Sequence, residues 1–162
     1  MVHAEVKDIM RIKSLAVSLV VAALSFTALQ AEAAEKLSYE PKVVSLTGTI
    51  VPETFPGPPN YSSVAEGDKA EEYWILHLKK AIEVQADKGS DSFNEAEQNV
   101  TRIQLIMSDS GKYKTPEAKY KAWKPLIKKG VIVVATGTLS HSNNGHHHTK
   151  VLMDVSDLQR KK

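Results

Sequence analysis

The stretch Val131-Ile-Val-Val-Ala-Thr-Gly-Thr-Leu-Ser-His141-Ser-Asn-Asn-Gly-His-His-His-Thr149-Lys-Val-Leu-Met-Asp-Val155 decides the fold of this chain. Apolar and polar residues alternate on both sides of its polar centre, and alternation with a period of two predicts β-strands. The predicted strands cover residues 131–140 and 149–155, and the short connection between them predicts an antiparallel hairpin. The hairpin tip then carries these histidines: His141, His146, His147 and His148.

The segments before this hairpin are predicted to complete a barrel. Alternating, β-branched runs indicate further strands at residues 43–51, 72–84 and 100–108. With a helix before the hairpin, the order is strand, strand, strand, helix, strand, strand, which is that of the five-stranded OB barrel. We therefore predict a mostly β fold with one helix, a small OB-like five-stranded barrel. It forms a single domain over residues 35–158, followed by a polar tail at residues 159–162.

The predicted helix begins at Thr115-Pro-Glu117. A hydroxyl caps the first turn, proline suits the first helical position, and an acidic side chain favours the positive end of the helix. The residues expected to face the core are Tyr120, Trp123 and Ile127. The segment also holds a basic cluster, composed of Lys112, Lys114, Lys119, Lys121, Lys124, Lys128 and Lys129. A solvated helix face is the simpler interpretation of this cluster, and contact with an anionic envelope surface or an acidic partner is the alternative.

Residues 52–71 are predicted to form a long loop between the first and second strands. The segment Thr54-Phe-Pro-Gly-Pro-Pro-Asn-Tyr61 is expected to be neither helix nor central strand, because proline lacks the backbone donor. Loops of this length are usually functional or disordered, and the aromatic residues favour an ordered loop. The loop is therefore either a lid on the barrel or part of a ligand site.

The two unusual loops are predicted to meet. In OB barrels, the loop between the first two strands and the loop between the last two form the usual binding edge. Here those loops are residues 52–71 and 141–149, which would share one rim. The residues predicted to contact a ligand or a partner at this rim are Phe55, Pro58, Pro59, Tyr61, Tyr73 and Trp74.

The histidines allow a metal site if the hairpin turn is short. Neutral imidazole is the commonest metal ligand, and zinc, copper or nickel would suit it. A two-residue turn at Asn144-Gly145 would place His141 beside His146 and His148 on one face. This geometry would supply three ligands.

The core pattern favours a different hairpin. Alternation places His141 on the same face as the core residues of its strand, and it places His147 on the same face as the core residues of the following strand. Both faces point to the core only if the hairpin loop has an odd number of residues, such as Asn143-Asn-Gly145 with Gly145 in the left-handed conformation. His146 and His148 would then face outward. In this geometry the histidines and Thr149 brace the tip through hydrogen bonds to loop carbonyls, or the imidazoles contact a polar ligand or partner.

Residues 1–34 are predicted to be a secretory signal peptide. An apolar run follows a short basic start, and Ala31-Glu-Ala33 supplies small residues at the spacing that signal peptidase recognises. Met10 is an alternative start, because residues 1–9 add acidic side chains. A membrane anchor is the other interpretation of the apolar run, but the run is short for a span. We expect a periplasmic or secreted protein with no stable membrane anchor after cleavage.

Composition narrows the classes of function. The chain has no cysteine, so disulfides, thiolate metal sites and cysteine nucleophiles are excluded. The formal net charge is only +2, and together with export this argues against nucleic acid as a partner. No nucleophile elbow, and no acid at recognisable spacing, accompanies the histidines, so we expect no enzyme.

The C-terminal hairpin resembles an exported bacterial family known as domain of unknown function 4431. The similarity rests on Gly137-Thr-Leu139, Gly145-His-His-His-Thr149 and Val151-Leu-Met153, and covers mainly residues 131–158. The Phe55–Tyr61 loop and Tyr73-Trp74 are also similar to the family. The resemblance implies a small secreted or periplasmic domain and no particular activity. The expected function is a binding module for an envelope ligand or protein, and the alternative is a histidine-based transition-metal-binding protein.

Overall fold

The computed structural model describes residues 34–87 and 93–162 of the chain. The predicted signal peptide therefore lies outside the described residues, apart from Ala34. The strands are β1 (Glu35–Ser38), β2 (Val43–Pro56), β3 (Ala70–Gln85), β4 (Glu97–Ile106), β5 (Val133–His141) and β6 (Val151–Arg160). The single α-helix, α1, covers Pro116–Trp123, and short 3-10 turns cover Val64–Glu66 and Lys124–Leu126. Within the described ranges, no helix is both long and apolar enough to cross a membrane.

Five of the strands close a barrel. β2 pairs with β3, β3 with β4, β5 with β6 and β5 with β2, all antiparallel, while β4 and β6 pair in parallel. The prediction of a mostly β fold with one helix and a closed five-stranded barrel is confirmed. The short strand β1 is additional and lies parallel to β3. It was not predicted because a strand of four residues with one buried apolar side chain, Leu37, gives almost no alternation to detect.

β2 is longer than predicted, and the predicted loop is correspondingly shorter. The strand pairs with β5 over Val43–Gly48 and with β3 over Gly48–Pro56. Pro52 and Pro56 therefore lie where β2 pairs with β3 alone. Proline is tolerated there, because on the unpaired side of the strand no backbone N–H is needed for a hydrogen bond. The loop that remains is residues 57–69. Beyond Val51 of β2 and Ile75 of β3, where β3 no longer pairs with β4, the two strands form a two-stranded ribbon over residues 52–56 and 70–74, which we call the β2–β3 ribbon.

The core follows the predicted alternation. Alternate residues are buried along the regular stretches of the barrel strands, and the alternation is interrupted at the register shifts between β3 and β4 and between β5 and β6. The buried set includes Leu46, Ile50, Trp74, Leu76, Ile103, Leu105, Val133, Leu139, Val151 and Met153. Gly48 lies where β2 changes partner, and Gly137 lies at a register shift between β5 and β6. A Cβ at either glycine would collide with a backbone carbonyl of the neighbouring strand, so the close approach of these strands requires glycine.

The helix begins as predicted. Thr115 Oγ1 accepts a hydrogen bond from Ala118 N at 3.2 Å, and Trp123 is buried. Two details differ from the prediction. Tyr120 remains 42% exposed, and Lys119 is fully buried. The Lys119 Nζ donates to the carbonyl of Val155 at 2.5 Å, and burial lowers the pKa of this amine. At the C-terminus, β6 continues to Arg160 and includes the start of the predicted tail.

Candidate functional site

The histidine segment is a broad loop, not a tight turn. The strands part after the pair His141 and Val151, which leaves residues 142–150 as the connection. The glycines with positive φ in the described part of the chain are Gly67, Gly111 and Gly130, so Gly145 is not left-handed. Both predicted turns are therefore wrong. Strand alternation sets the faces of side chains only within a ladder, and the chain leaves the ladder at His141.

A buried glutamine fixes the shape of this loop. Gln104 projects from β4 and is fully buried. Its side-chain amide forms hydrogen bonds with the loop main chain on both sides of His147. Its Nε2 donates to the carbonyl of His146 at 2.8 Å, and its Oε1 accepts from the amide of His148 at 2.7 Å. The Thr149 hydroxyl accepts from Gln104 N at 2.8 Å and donates to the carbonyl of Val151 at 2.7 Å. Loop 142–150 is thus held by its backbone.

His147 forms hydrogen bonds inside loop 142–150, and His141 forms hydrogen bonds at the base of this loop. His147 Nδ1 accepts from Asn143 N at 3.0 Å, and burial, reinforced by neighbouring His146, lowers the pKa of this ring. His141 Nδ1 lies 3.0 Å from the carbonyl of Ser142, and its Nε2 lies 3.2 Å from Glu97 Oε1. Of these two histidines, only His141 faces a loop carbonyl, as the bracing interpretation predicted, while His147 accepts from a main-chain amide.

Glu97 is the carboxylate beneath His141, and it is buried. Burial alone would raise the pKa of Glu97, but hydrogen bonds from Lys150 and His141 and their nearby charges outweigh it and lower the pKa. The ring of buried Tyr39 lies edge-on to His141, with centroids 6.3 Å apart. A histidine that acts as a general base needs a nitrogen free to face a substrate. Both nitrogens of His141 face oxygens of the chain itself, so this acid–histidine pair is a brace.

The other two histidines meet the aromatic residues of the β2–β3 ribbon. The rings of Phe55 and His148 stack with centroids 4.1 Å apart, and the Tyr73 ring packs against His148 at 4.7 Å. The Tyr61 ring lies edge-on to His146 at 5.1 Å. We call these residues the rim cluster: Phe55, Tyr61, Tyr73, His146 and His148. Burial, followed by the proximity of His146, lowers the pKa of His148, which favours the neutral ring in this stack.

His146 links two tyrosine hydroxyls. The Tyr73 hydroxyl donates to Glu71 Oε2 at 2.8 Å, so its oxygen accepts from His146 Nδ1 at 3.0 Å. In the neutral ring, Nε2 then accepts from the Tyr61 hydroxyl, also at 3.0 Å. The hydrogen bond from Tyr73 is the main reason that the pKa of Glu71 is lowered. Burial and the adjacent Glu71 carboxylate raise the pKa of Tyr73 to about 12.

Loop 57–69 is fixed by one carboxylate. Asp68 is buried, its Oδ1 accepts from Asn60 N at 2.8 Å, and its Oδ2 accepts from the amides of Ser62 and Ser63 at 2.7 and 2.9 Å. Backbone hydrogen bonds from Ser63 and Ser62 lower the pKa of Asp68 to about 2. This loop therefore presents Tyr61 to the rim in a defined position.

The structure brings together only part of the predicted rim. Phe55, Tyr61 and Tyr73 join the rim cluster, and Phe55 does so from strand β2 because the loop begins later than predicted. Pro58 and Pro59 are exposed in loop 57–69. Trp74 is on the opposite face of β3, where it stacks on Tyr120 with centroids 4.9 Å apart.

The residues predicted as tentative metal ligands, His141, His146, His147 and His148, are used in different contacts. His141 and His147 are used in separate hydrogen bonds, while Tyr73 contacts both His146, through the tyrosine hydroxyl, and His148, through the ring. Across residues 34–87 and 93–162, no group of three or more His, Cys, Asp or Glu side chains is arranged to hold a metal ion.

Sequence reasoning missed the carboxylates and the amide that organise this region: Asp68, Glu71, Glu97 and Gln104. Only Gln104 carried a usable signal, since it is a lone amide in an otherwise apolar strand centre. Its register places it between Ile75 of β3 and Leu152 of β6 on the outer face of the barrel, and all three are buried. Loop 142–150 covers this row, which the alternation alone would have left exposed.

Comparison with known proteins gives one result. Residues 102–159 match the family model described as "Domain of unknown function (DUF4431)". No curated protein and no solved structure matches the chain. The matched part begins in β4, just before Gln104, and continues through α1, β5, loop 142–150 and most of β6. The resemblance predicted from the sequence is therefore confirmed: over residues 102–159, this chain is similar to the DUF4431 family.

Proposed function

We propose that this domain is an exported binding module whose ligand contacts the rim cluster. The observation that carries the proposal is the convergence of Tyr61 and His146, which are far apart in sequence, at one exposed hydrogen bond. A binding site benefits from groups that are held in position before the ligand arrives, because less entropy is then lost on binding. Asp68 holds one contributing loop, and Gln104 holds the other.

The chemistry of the rim favours a polar ligand that also has a flat or CH-rich face. Phe55, Tyr61 and Tyr73 are half-buried, so part of each ring remains accessible. Aromatic side chains combine a large apolar surface with little loss of conformational entropy, and tyrosine adds a hydroxyl. A saccharide chain or a peptide of the cell envelope has both features. The ionised Glu71 carboxylate beneath His146 disfavours a polyanion, so nucleic acid is not the expected ligand.

The location is part of the same proposal. The sequence pattern of residues 1–34 is that of a secretory signal, and β1 begins at Glu35, immediately after it. Cleavage at the end of this pattern would leave β1 and the whole barrel intact, and would release the domain into the periplasm or the medium. The barrel connectivity supports the choice of the rim, because in OB-like barrels the corresponding loops form the usual binding edge.

An NMR mapping experiment tests the binding proposal. The isotope-labelled protein is titrated with methyl glycosides, N-acetylated amino sugars and short neutral peptides, and amide shifts are followed. We expect the shifts to cluster at Tyr61, Gly145 and His146, and to shrink in Phe55→Ala. Phe93→Ala is the matched control, since Phe93 is 81% exposed and outside the rim cluster. Shifts scattered over the surface, or insensitive to Phe55→Ala, would contradict the proposal.

A further inference from the structure

A groove lies on the opposite face of the β2–β3 ribbon from the rim cluster. It has a volume of about 690 Å³ and runs between the ribbon and the segment formed by α1 and the following 3-10 turn. This size is within the range of roughly 300–1,000 Å³ typical of ligand sites. The groove shares no residue with the rim cluster, and the inference below does not depend on the proposed function of the rim.

The floor of the groove is aromatic. Trp74 of the ribbon and Tyr120 of α1 stack at an interplanar angle of 29°, and Pro52 lies beside them. Trp74 is almost completely buried, while Tyr120 is 42% exposed. An exposed ring that rests on a buried one gives a rigid apolar surface. Such a surface accepts another flat side chain without first having to be ordered.

One edge of the groove is basic. Lys121, Lys124 and Lys128 line it, against one acidic lining residue, Glu72 of β3, and in the described part of the chain none of the three lysines forms an ion pair with a carboxylate. Lys124 Nζ lies 5.4 Å from the centroid of the Tyr120 ring. At about 1.5–2 Å per residue in helical segments, these lysines span on the order of 10 Å. Extended peptide advances about 3.3 Å per residue, so the edge matches roughly three residues.

We propose that this groove binds an acidic peptide segment that carries an aromatic side chain. The aromatic ring packs on Tyr120 and Pro52, and carboxylates on either side of it pair with Lys121, Lys124 and Lys128. A single small anion would leave most of the basic edge unpaired. A flat anionic membrane would contact the lysine tips but would not enter the groove. The segment is thus a linear, negatively charged part of another protein.

Fluorescence anisotropy with a labelled peptide, Glu-Asp-Phe-Asp-Glu, tests the proposal on the full chain. We expect saturable binding that weakens as salt is added, because the ion pairs are exposed. Replacing all three lysines, Lys121→Gln, Lys124→Gln and Lys128→Gln, should weaken binding by roughly threefold to 150-fold, since three exposed ion pairs are lost. The matched control is the triple variant Lys42→Gln, Lys161→Gln and Lys162→Gln, which removes the same charge elsewhere and should bind as the unaltered protein does.

Changing the peptide tests whether binding requires the aromatic floor of the groove or only general electrostatic attraction, and the protein itself stays unaltered. Glu-Asp-Ala-Asp-Glu, which lacks the ring, should bind at least several-fold more weakly. Equal binding of both peptides, equal effects of the two triple variants, or no binding at all would overturn the proposal. Binding to phosphatidylglycerol vesicles with no binding of the peptide would also overturn it and would assign the lysines to a membrane surface.

Discussion

The rings of Phe55 and His148 lie parallel, at an angle of 2° and with their centroids 4.1 Å apart. This stack joins the end of β2 to loop 142–150, and the Tyr73 ring packs against the same imidazole. The contact ties the ribbon to the loop through side chains, whereas Gln104 ties β4 to the loop through its main chain. The loop is therefore held from three strands, by ring packing from β2 and β3 and by hydrogen bonds from β4.

Loss of the stack should loosen the loop. Phe55→Leu keeps an apolar side chain but removes the aromatic pair, so we expect a loss of about 0.5–1.5 kcal/mol in the free energy of unfolding. Amide exchange of residues 146–148 should become faster. Urea denaturation and hydrogen exchange measure the two effects, with Phe93→Leu as the exposed control. Unchanged exchange in Phe55→Leu would show that the stack does not order the loop.

Replacing Gln104 should lower the free energy of unfolding by more than Phe55→Leu does. In Gln104→Met the side chain keeps its approximate length, but the His148 amide and the His146 carbonyl lose their partner. An unsatisfied buried group costs about 1–3 kcal/mol, so the midpoint of urea unfolding should fall clearly. Gln98→Met is the matched control, because Gln98 is on the same strand and exposed. Equal stability of the two variants would contradict the bracing role.

Asp68 should make the stability depend on pH. Its folded pKa, about 2, lies below its ordinary value of 3.8, so its contribution is present above about pH 4 and is lost as the pH falls towards 2. We expect Asp68→Asn to be less stable than the unaltered protein near pH 7, with the difference shrinking as the pH is lowered through that window. Urea midpoints across the pH range measure this, and Glu66→Gln, in the same loop but exposed, should give a small difference. A difference in urea midpoint between Asp68→Asn and the unaltered protein that stays the same at every pH would argue against this role for the carboxylate.

Tyr73→Phe should raise the pKa of Glu71. The hydroxyl of Tyr73 is the largest cause of the lowered pKa of this carboxyl, and burial acts in the opposite direction once the hydroxyl is removed. Carboxyl ¹³C shifts followed by NMR titration report this pKa directly. Tyr113→Phe serves as the control, since Tyr113 packs on Trp123 and is not in the rim cluster. A Glu71 titration that is the same in Tyr73→Phe and in the unaltered protein would rule out the proposed hydrogen bond.

The export proposal predicts a processed N-terminus. Expression of the full chain in a bacterium should yield a periplasmic or secreted form that begins close to Glu35, and intact-mass measurement identifies it. Replacing Ala31 and Ala33 by bulky residues should block processing, because the peptidase requires small side chains at these positions. A cytoplasmic protein that retains residues 1–34 would refute the proposal.

Local pattern was sufficient to predict the five barrel strands, most of the core inside the barrel and the start of the helix, but not β1 or the buried row at Gln104. The Val43–Val51 run, the alternation around Trp74 and Leu76, and the Thr115 cap each depend on neighbouring residues, and tertiary contacts reinforced them. The length of β2 was not predictable in this way, because Pro52 is excluded from a central strand but not from an edge. Whether Pro52 lies at an edge depends on where β5 stops pairing, which is a long-range property.

The rim could be predicted only in outline. Connectivity indicated that the two loops would meet, and Phe55, Tyr61 and Tyr73 do meet His146 and His148. Alternation along β3 directs Tyr73 and Trp74 to opposite faces, and this decided which of them reached the rim. The orientations of the histidines depended on Gln104, a residue more than forty positions away whose partners are main-chain atoms. No spacing rule within the hairpin contains that information.

Gln104 and Thr149 recognise the main chain of loop 142–150, and this separates the shape of the loop from the identity of its side chains. Exchanging His146 or His148 for another residue leaves both amide contacts of Gln104 available. The barrel therefore holds the loop main chain in one shape whatever side chains occupy positions 146 and 148. Under the proposed function, a change of ligand would need only substitutions at these positions and no new fold.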